Sequence, residues 1–208
     1  MTIVNLWESK NQDEWKSALE KYWTIIPPKS LPLEHDIVNL TLDIVRNMDE
    51  NEWYDFLLNK YFKWKYTAPN RYATTTKQLK KYEENNELDK LYQIKEQLLQ
   101  FDINDIKIGL ELAKKIRGLG TAGASGLLSI LFPSYFGTVD QFVVKALDEL
   151  PNLPEKIYVE KMNPVGLKIS DGIILIKIMR NKSISLNQLF QTNFWTPRKV
   201  DMILWAQR

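Results

Sequence analysis

Residues 116–147 read IRGLGTAGASGLLSILFPSYFGTVDQFVVKAL. Gly118, Gly120 and Gly123 lie within six residues of one another, between a lysine-bearing amphipathic run and a new apolar run, which predicts a tight turn between two helices. Because glycine lacks Cβ, it can take φ > 0, and it lets a phosphate approach the N–H groups that open the following helix. The stretch predicts a phosphate-binding turn. The alternative is a turn that only connects two helices.

Residues 110–147 resemble the helix-hairpin-helix DNA glycosylase superfamily, which includes endonuclease III and the 3-methyladenine glycosylases. Residues 53–82 resemble it more loosely. The positions that carry the resemblance are Ile116, Gly118, Leu119, Gly120, Ala124, Val139 and Asp140. The resemblance implies an all-α, two-lobed fold with its site in the cleft between the lobes. We expect residues 34–134 to form a central lobe that ends in the hairpin, and residues 1–33 with 135–208 to form the second lobe.

The resemblance assigns catalysis to Asp140, at the start of the helix that follows the hairpin. Breaking a glycosidic bond passes through an oxocarbenium-like state, so a fixed carboxylate beside C1′ stabilises the developing positive charge and orients or deprotonates water. The alternative is that Asp140 is a plain N-cap of the helix at residues 141–147. The two interpretations are compatible.

We expect DNA contacts from the hairpin and from the loop around residues 65–67. A base inside a duplex must be extruded before it can react, and a bulky side chain fills the gap. The resemblance gives that wedge to the loop around Lys65, Tyr66 and Thr67, with Tyr66 favoured by its size. The residues expected to bind DNA are Gly118, Gly120, Ala122, Gly123, Lys65, Tyr66 and Arg71.

Two further expectations concern the hairpin. The resemblance implies that the backbone carbonyls of Lys114, Ile116 and Leu119 bind a monovalent cation. Members of the family that also cleave the DNA strand carry a nucleophilic lysine at the position of Ala122. Since alanine offers no amine, we expect water to be the nucleophile, without lyase activity and without borohydride trapping.

Composition bounds the remaining possibilities. A chain of 208 residues with 44% hydrophobic content buries a substantial core. Cysteine is absent, so the chain has no disulfide and no cysteine-held iron–sulfur cluster, and we expect no cofactor beyond the hairpin cation. The first residues lack a secretory signal pattern, and no apolar run approaches the ~18 residues of a membrane span. We therefore expect a cytoplasmic monomer without a membrane partner.

The charge is unevenly distributed. The net charge is only +2, yet residues 56–82 contain seven Lys and Arg and no acidic residue, so the remainder sums to −5. Aromatic residues alternate with these cations, which is typical of surfaces that bind phosphates and stack on bases. The expected partner is double-stranded DNA. The alternative is an ordinary solvated helix face over an aromatic core.

The hydrophobic pattern predicts helices throughout. The run 35–48 predicts one helix with Ile37, Leu40, Thr41, Ile44 and Met48 on one side. The Ile-rich run 172–179 predicts a helix rather than a strand. Thr196 and Pro197 predict the start of the last helix, as N-cap and first helical residue.

Three functions remain open from the sequence. The first is a monofunctional DNA glycosylase that removes a damaged or modified base. The second is an inactive helix-hairpin-helix module for DNA binding or assembly, which the modest net charge favours. The third is a glycosylase-like enzyme that acts on modified bases of foreign DNA. Residues 110–147 do not identify the base.

Overall fold

The computed structural model describes residues 2–207, and within that range the chain is helical and contains no strand. Its α-helices are α1 Ile3–Glu8, α2 Gln12–Ile25, α3 Leu31–Val38, α4 Leu42–Asn47, α5 Glu50–Asp55, α6 Phe62–Lys65, α7 Pro69–Glu84, α8 Leu88–Gln100, α9 Ile106–Lys114, α10 Thr121–Leu131, α11 Gln141–Asp148, α12 Lys156–Val159, α13 Ile169–Phe190 and α14 Pro197–Trp205. A 3₁₀ turn, Pro28–Ser30, precedes α3, and a π-helical stretch, Phe56–Tyr61, joins α5 to α6. The all-α prediction is confirmed. Met1 and Arg208, the outer ends of the predicted second lobe, lie outside the described residues.

The two C-terminal helices form as predicted, and a local signal starts the last one. The Thr196 hydroxyl accepts the Lys199 N–H at 3.2 Å, and Pro197 occupies the first position of α14. This arrangement satisfies one of the N–H groups that a helix start leaves unpaired. The Ile-rich run 172–179 lies inside the long helix α13.

The prediction of one helix over residues 35–48 is wrong. The structure has two helices there, α3 and α4, and the chain between them is not helical. The Thr41 hydroxyl accepts the Ile44 N–H at 3.3 Å and starts α4. The predicted apolar side also differs from the buried side of α4, because Ile44 is half exposed and Val45 is buried instead.

Helix α10 lies at the centre of the molecule. All its residues except Ala122 are buried, and it packs on α9, α13 and α14. A helix that is buried on every side needs apolar and small side chains all round, as the sequence of α10 provides. The main hydrophobic core is one connected cluster of buried side chains, with members from Ile3 near the start of the chain to Leu204 in the last helix. The division into two lobes stays a prediction.

Within residues 2–207, none of the helices combines the length and apolarity that crossing a bilayer requires.

Candidate functional site

The turn between α9 and α10 depends on Gly118. Its φ is +94°, in the left-handed region that disfavours side chains. A Cβ there would lie 2.5 Å from the carbonyl oxygen of Thr75 and 3.0 Å from the ring of Phe62. The Leu119 N–H donates to the Ile116 carbonyl at 3.1 Å and closes the turn. Helix α7, which contains Thr75, therefore lies directly against the hairpin.

Gly120 differs from Gly118 because the fold does not require a glycine there. Its φ of −84° is open to any residue, and a Cβ would meet no atom within 4 Å. It is the N-cap of α10, and no side chain caps that helix. Next to it, the buried Thr121 hydroxyl has no hydrogen-bond partner within residues 2–207. The first turn of α10 therefore has no side-chain cap; Thr121 and Gly123 are buried there, and Ala122 is partly exposed. A helix N-terminus favours an anion.

Tyr66 lies against the hairpin. Its hydroxyl donates to the Gly118 carbonyl at 3.2 Å, and its ring centroid is 5.5 Å from that of Phe62. The missing Cβ of Gly123 makes room for the Tyr66 hydroxyl, and the Gly123 carbonyl accepts a hydrogen bond from Tyr61. Burial raises the pKa of Tyr66 to about 12. Insertion of Tyr66 into DNA, as expected of a wedge, requires that this contact with the hairpin be released.

The predicted basic segment is only partly available to a ligand. Lys60 pairs with Asp36 at 2.9 Å, and the Lys65 side chain is 9% exposed. Within residues 2–207, the exposed cations of this segment that form no ion pair are Lys63, Arg71, Lys77 and Lys80. Three of these four belong to α7, the helix that lies against Gly118. By helical spacing, Arg71 lies on the same side of α7 as Thr75, which contacts Gly118, whereas Lys77 and Lys80 lie on the opposite side.

Asp140 is held at the start of α11 by its own helix. Its Oδ1 accepts hydrogen bonds from the N–H groups of Phe142 at 2.9 Å and Val143 at 3.2 Å. Asp140 is therefore the N-cap of α11, as one of the two interpretations predicted. Its side chain is 20% exposed. Its Oδ2 accepts no hydrogen bond from residues 2–207 and faces Lys65, whose Nζ is 3.9 Å away.

The segment before Asp140 is attached to two other helices. The Val139 N–H donates to the Ser125 hydroxyl in α10 at 2.9 Å, and the Thr138 N–H donates to the Asp201 carboxylate in α14 at 2.7 Å. These bonds fix the position of Asp140 relative to the helix that the hairpin opens. A carboxylate held in this way is preorganised, as electrostatic catalysis requires.

Lys65 reaches Asp140 along the surface of α10. A Cβ at Gly126 would lie 3.1 Å from Lys65 Cδ and 2.8 Å from the Tyr61 hydroxyl, so Gly126 makes space for both side chains. Burial lowers the pKa of Lys65, and the negative charges of Asp140 and Asp201 oppose that effect. Lys65 therefore lies inside the site, apart from the exposed cations among which the sequence placed it.

A second group of buried charges lies behind this pair. Arg198 Nη1 is 2.8 Å from Asp201 Oδ1, and Arg198 Nη2 is 3.5 Å from Glu34 Oε1. The Trp64 ring N–H and the Tyr22 hydroxyl donate to Glu34 at 2.6 Å and 2.5 Å. This network connects α2, α3, α6 and α14 beside Lys65.

Sequence reasoning missed this network and the Lys65–Asp140 pair. Arg198 and Asp201 are three residues apart in α14, and that spacing alone signals an ion pair. The sequence around Glu34 contains no signal of its buried partner, which lies at the far end of the chain.

The backbone carbonyls predicted to bind a monovalent cation present oxygen atoms as ligands. The Ile116 carbonyl accepts the Leu119 N–H at 3.1 Å and keeps its second lone pair. Oxygen ligands suit hard cations. The roles of Lys114, Ile116 and Leu119 stay a prediction. No group of three or more His, Cys, Asp or Glu that could hold a metal ion occurs in the part of the chain that the structure describes.

Two surface cavities lie away from Asp140. One, of about 610 Å³, is lined by Asp36, Ile44, Glu52 and Phe56 among others. The other, of about 490 Å³, lies between Leu6, Asp13 and Gln207. Neither contains Asp140 or a hairpin residue in its lining.

Comparison of the chain with protein-family models, curated proteins and solved structures gave no match.

Proposed function

We propose that the chain binds double-stranded DNA through the hairpin and hydrolyses the N-glycosidic bond of an extruded base with Asp140. The observation that carries the proposal is the placement of Asp140. One oxygen is held by two helix amides, and the other accepts no hydrogen bond from residues 2–207. Through Ser125 and Val139, this carboxylate is attached to α10, the helix whose start has no side-chain cap.

The binding step uses backbone and charge. The amides of Gly118, Gly120, Ala122 and Gly123 surround the start of α10, where a phosphate beside the extruded nucleotide would bind. The exposed Arg71 of α7, on the side of that helix which contacts the hairpin, binds a further phosphate. A monovalent cation on the hairpin carbonyls would add positive charge next to the same phosphate.

The chemical step uses the fixed carboxylate. As the base leaves C1′, positive charge develops on the sugar, and the Asp140 anion stabilises it. Asp140 Oδ2 also accepts the proton of the attacking water. Ala122 supplies no amine at the hairpin, so hydrolysis leaves an intact strand with an abasic site.

A second function has its own support: an inactive DNA-binding or assembly module. Lys65 lies 3.9 Å from Asp140 Oδ2, and a protonated Lys65 would offset the charge that the reaction needs. Tyr66 is packed onto the hairpin. In this case the hairpin would still bind phosphate, and no base would be released.

One experiment separates these two functions. Duplexes that contain uracil, an alkylated base, an oxidised base, a mismatch or a modified base typical of foreign DNA are incubated with the protein and then treated with hot alkali. Alkali-dependent cleavage at the marked base supports the glycosylase and identifies its substrate. Binding of every duplex without cleavage of any supports the inactive module.

A further inference from the structure

The larger of the two surface cavities is a groove between helices. It encloses about 610 Å³, with α4 on one side and α5 followed by the π-helical stretch on the other. Its apolar lining comes from Leu40, Ile44, Met48 and Phe56. Ile44 is 50% exposed, whereas its neighbour Val45 is fully buried. This surface, called the α4–α5 groove below, therefore presents apolar side chains to a partner.

The α4–α5 groove is also negatively charged. Asp36, Glu52 and Asp55 line it together with one cation, Lys60, so the lining carries an excess of two negative charges. Lys60 pairs with Asp36 at 2.9 Å, and neither Glu52 nor Asp55 forms an ion pair within residues 2–207. Glu52 Oε1 and Asp55 Oδ2 accept no hydrogen bond from the same residues. Two carboxylates are thus available to a cationic partner.

The charge and shape of the groove limit the chemistry of that partner. Phosphates would be repelled by the carboxylates, so nucleic acid does not suit this surface. The carboxylates form no group that could hold a metal ion in the described part of the chain, which shows that they are spread along the groove. An elongated partner with several separate cations and apolar side chains between them matches both features. A basic amphipathic helix has this pattern, and a groove between two helices is a recurrent site for such a helix.

One wall of the groove has an irregular backbone. The Phe62 N–H donates to the Leu57 carbonyl, five residues back, which is the spacing of a π-helix. Such stretches are rare and frequently lie at functional sites. Phe56 and Lys60 belong to this stretch and line the groove. The π-helical geometry therefore coincides with the exposed apolar surface.

We propose that the α4–α5 groove binds a basic amphipathic helix of a partner protein. Apolar side chains on one face of that helix contact Leu40 and Ile44, and its Lys or Arg side chains pair with Glu52 and Asp55. The inference goes beyond the proposed function, because no residue of the groove belongs to the hairpin, α7 or α11. The chain can then hold the partner protein while DNA occupies the hairpin.

The test selects binding helices from a displayed library of random peptides of about 16 residues, which is four to five helical turns. The full chain is immobilised, and peptides that also bind Ile44→Lys are removed, so that groove-dependent peptides remain. Ile44 is half exposed, so lysine is accommodated without loss of the fold, which circular dichroism checks. Affinities of the selected peptides are measured by fluorescence anisotropy, with and without competing duplex DNA. Sedimentation of the unmodified chain and of Ile44→Lys reports whether copies of the chain associate.

Two control variants match the changes made in the groove. Ile184→Lys introduces the same residue at an isoleucine of α13 that is 53% exposed and lies outside the groove. Asp55→Lys reverses a charge of the groove, and Glu20→Lys reverses the charge of an exposed residue of α2 that forms no ion pair within residues 2–207. Comparison within each pair separates the groove from the overall charge of the protein.

We expect the selected peptides to carry Lys or Arg, with apolar residues spaced i, i+4 on one face. Their affinity should fall by about tenfold or more for Asp55→Lys and stay within about twofold for Ile184→Lys and Glu20→Lys. Added salt should weaken their binding, because the charged contacts are exposed.

Several results would overturn the inference. A selection that gives no groove-dependent peptide, or an acidic or uncharged consensus, would exclude the proposed partner. Displacement of the peptides by duplex DNA would assign the groove to nucleic acid, and a dimer that Ile44→Lys dissociates would assign it to a second copy of the chain. If Ile44→Lys does not fold, Asp55→Lys replaces it in the removal step and the same outcomes apply.

Discussion

Lys65 Nζ lies 3.9 Å from Asp140 Oδ2, and this pair joins the end of α6 to the start of α11. The protonation of Lys65 decides how the pair works. An ammonium offsets the Asp140 charge, whereas a neutral amine leaves the anion free to act on a sugar. Substitutions at either residue therefore report on both stability and chemistry.

Replacement of Lys65 by methionine removes a charge that burial penalises, so the stability of the variant relative to the unmodified protein should be highest near pH 7. Burial lowers the folded-state pKa of Lys65 below the ordinary 10.5, although Asp140 and Asp201 oppose this effect and Arg198 adds to it. The unfolded chain thus binds more protons between the two pKa values, and the stability of the unmodified protein rises with pH in that window. Urea unfolding between pH 7 and pH 10.5 should show the advantage of Lys65→Met shrinking as the pH rises.

Lys63→Met serves as the control for this series, because Lys63 is exposed and forms no ion pair within residues 2–207. Its stability difference from the unmodified protein should stay the same across the pH range. An advantage of Lys65→Met that is constant or grows with pH would contradict the assigned burial of the charge.

The two hairpin glycines should respond differently to alanine. Gly118→Ala should lower the free energy of unfolding by about 2 kcal/mol or more, because φ is +94° and Cβ would lie 2.5 Å from the Thr75 carbonyl oxygen. Gly120→Ala should lower it by about 1 kcal/mol or less, since its Cβ meets nothing within 4 Å and only the poorer N-cap propensity of alanine acts. Chemical denaturation measures both. Equal losses would show that the turn geometry is wrong.

Gly120→Asp should abolish DNA binding and leave the helical circular dichroism intact. The carboxylate would occupy the position where the phosphate must bind, yet aspartate is a good N-cap and there is room for it. Gly120→Ser is the matched control, since serine also caps the helix but carries no charge. It should bind DNA more strongly than Gly120→Asp by about tenfold or more, which is at least ~1.4 kcal/mol. Comparable binding by the two variants would exclude a phosphate at this helix start.

DNA affinity should depend steeply on salt. If about five phosphates are neutralised, the logarithm of affinity should fall with the logarithm of salt concentration at a slope near −4.5. Arg71→Gln should make the slope shallower by about 0.9, because one exposed cation next to the hairpin is lost. Lys16→Gln, an exposed lysine of α2 outside the basic segment, should leave the slope unchanged. A flat salt response of the unmodified protein would remove nucleic acid as the partner.

The parts of the fold that the sequence predicted are those with local causes. Thr196 and Pro197 start α14 by bonds within one helical turn, and Asp140 caps α11 in the same way. The hairpin follows from Gly118, whose backbone conformation few other residues adopt. Each of these signals is complete within a few residues.

The parts that the sequence did not predict depend on distant partners. In the sequence, Lys65 is one of several cations in a basic run. Its burial becomes visible only in the structure, where its side-chain methylene groups pack on Gly126. Glu34 and Arg198 come from opposite ends of the chain and meet in the interior. The break between α3 and α4 was missed because the apolar pattern passes across the cap at Thr41.

The role of Asp140 is tested by the effect of Asp140→Asn on base release from the duplex in which alkali reveals an abasic site after incubation with the unmodified protein. Asparagine keeps the side-chain oxygen that accepts the Phe142 and Val143 N–H groups, so folding and DNA affinity should be nearly unchanged. The charge that stabilises the oxocarbenium-like sugar is lost, and the single-turnover rate of base release should fall by about 10²–10³-fold. Base release by Asp140→Asn at the unmodified rate would show that Asp140 is only an N-cap and has no catalytic role.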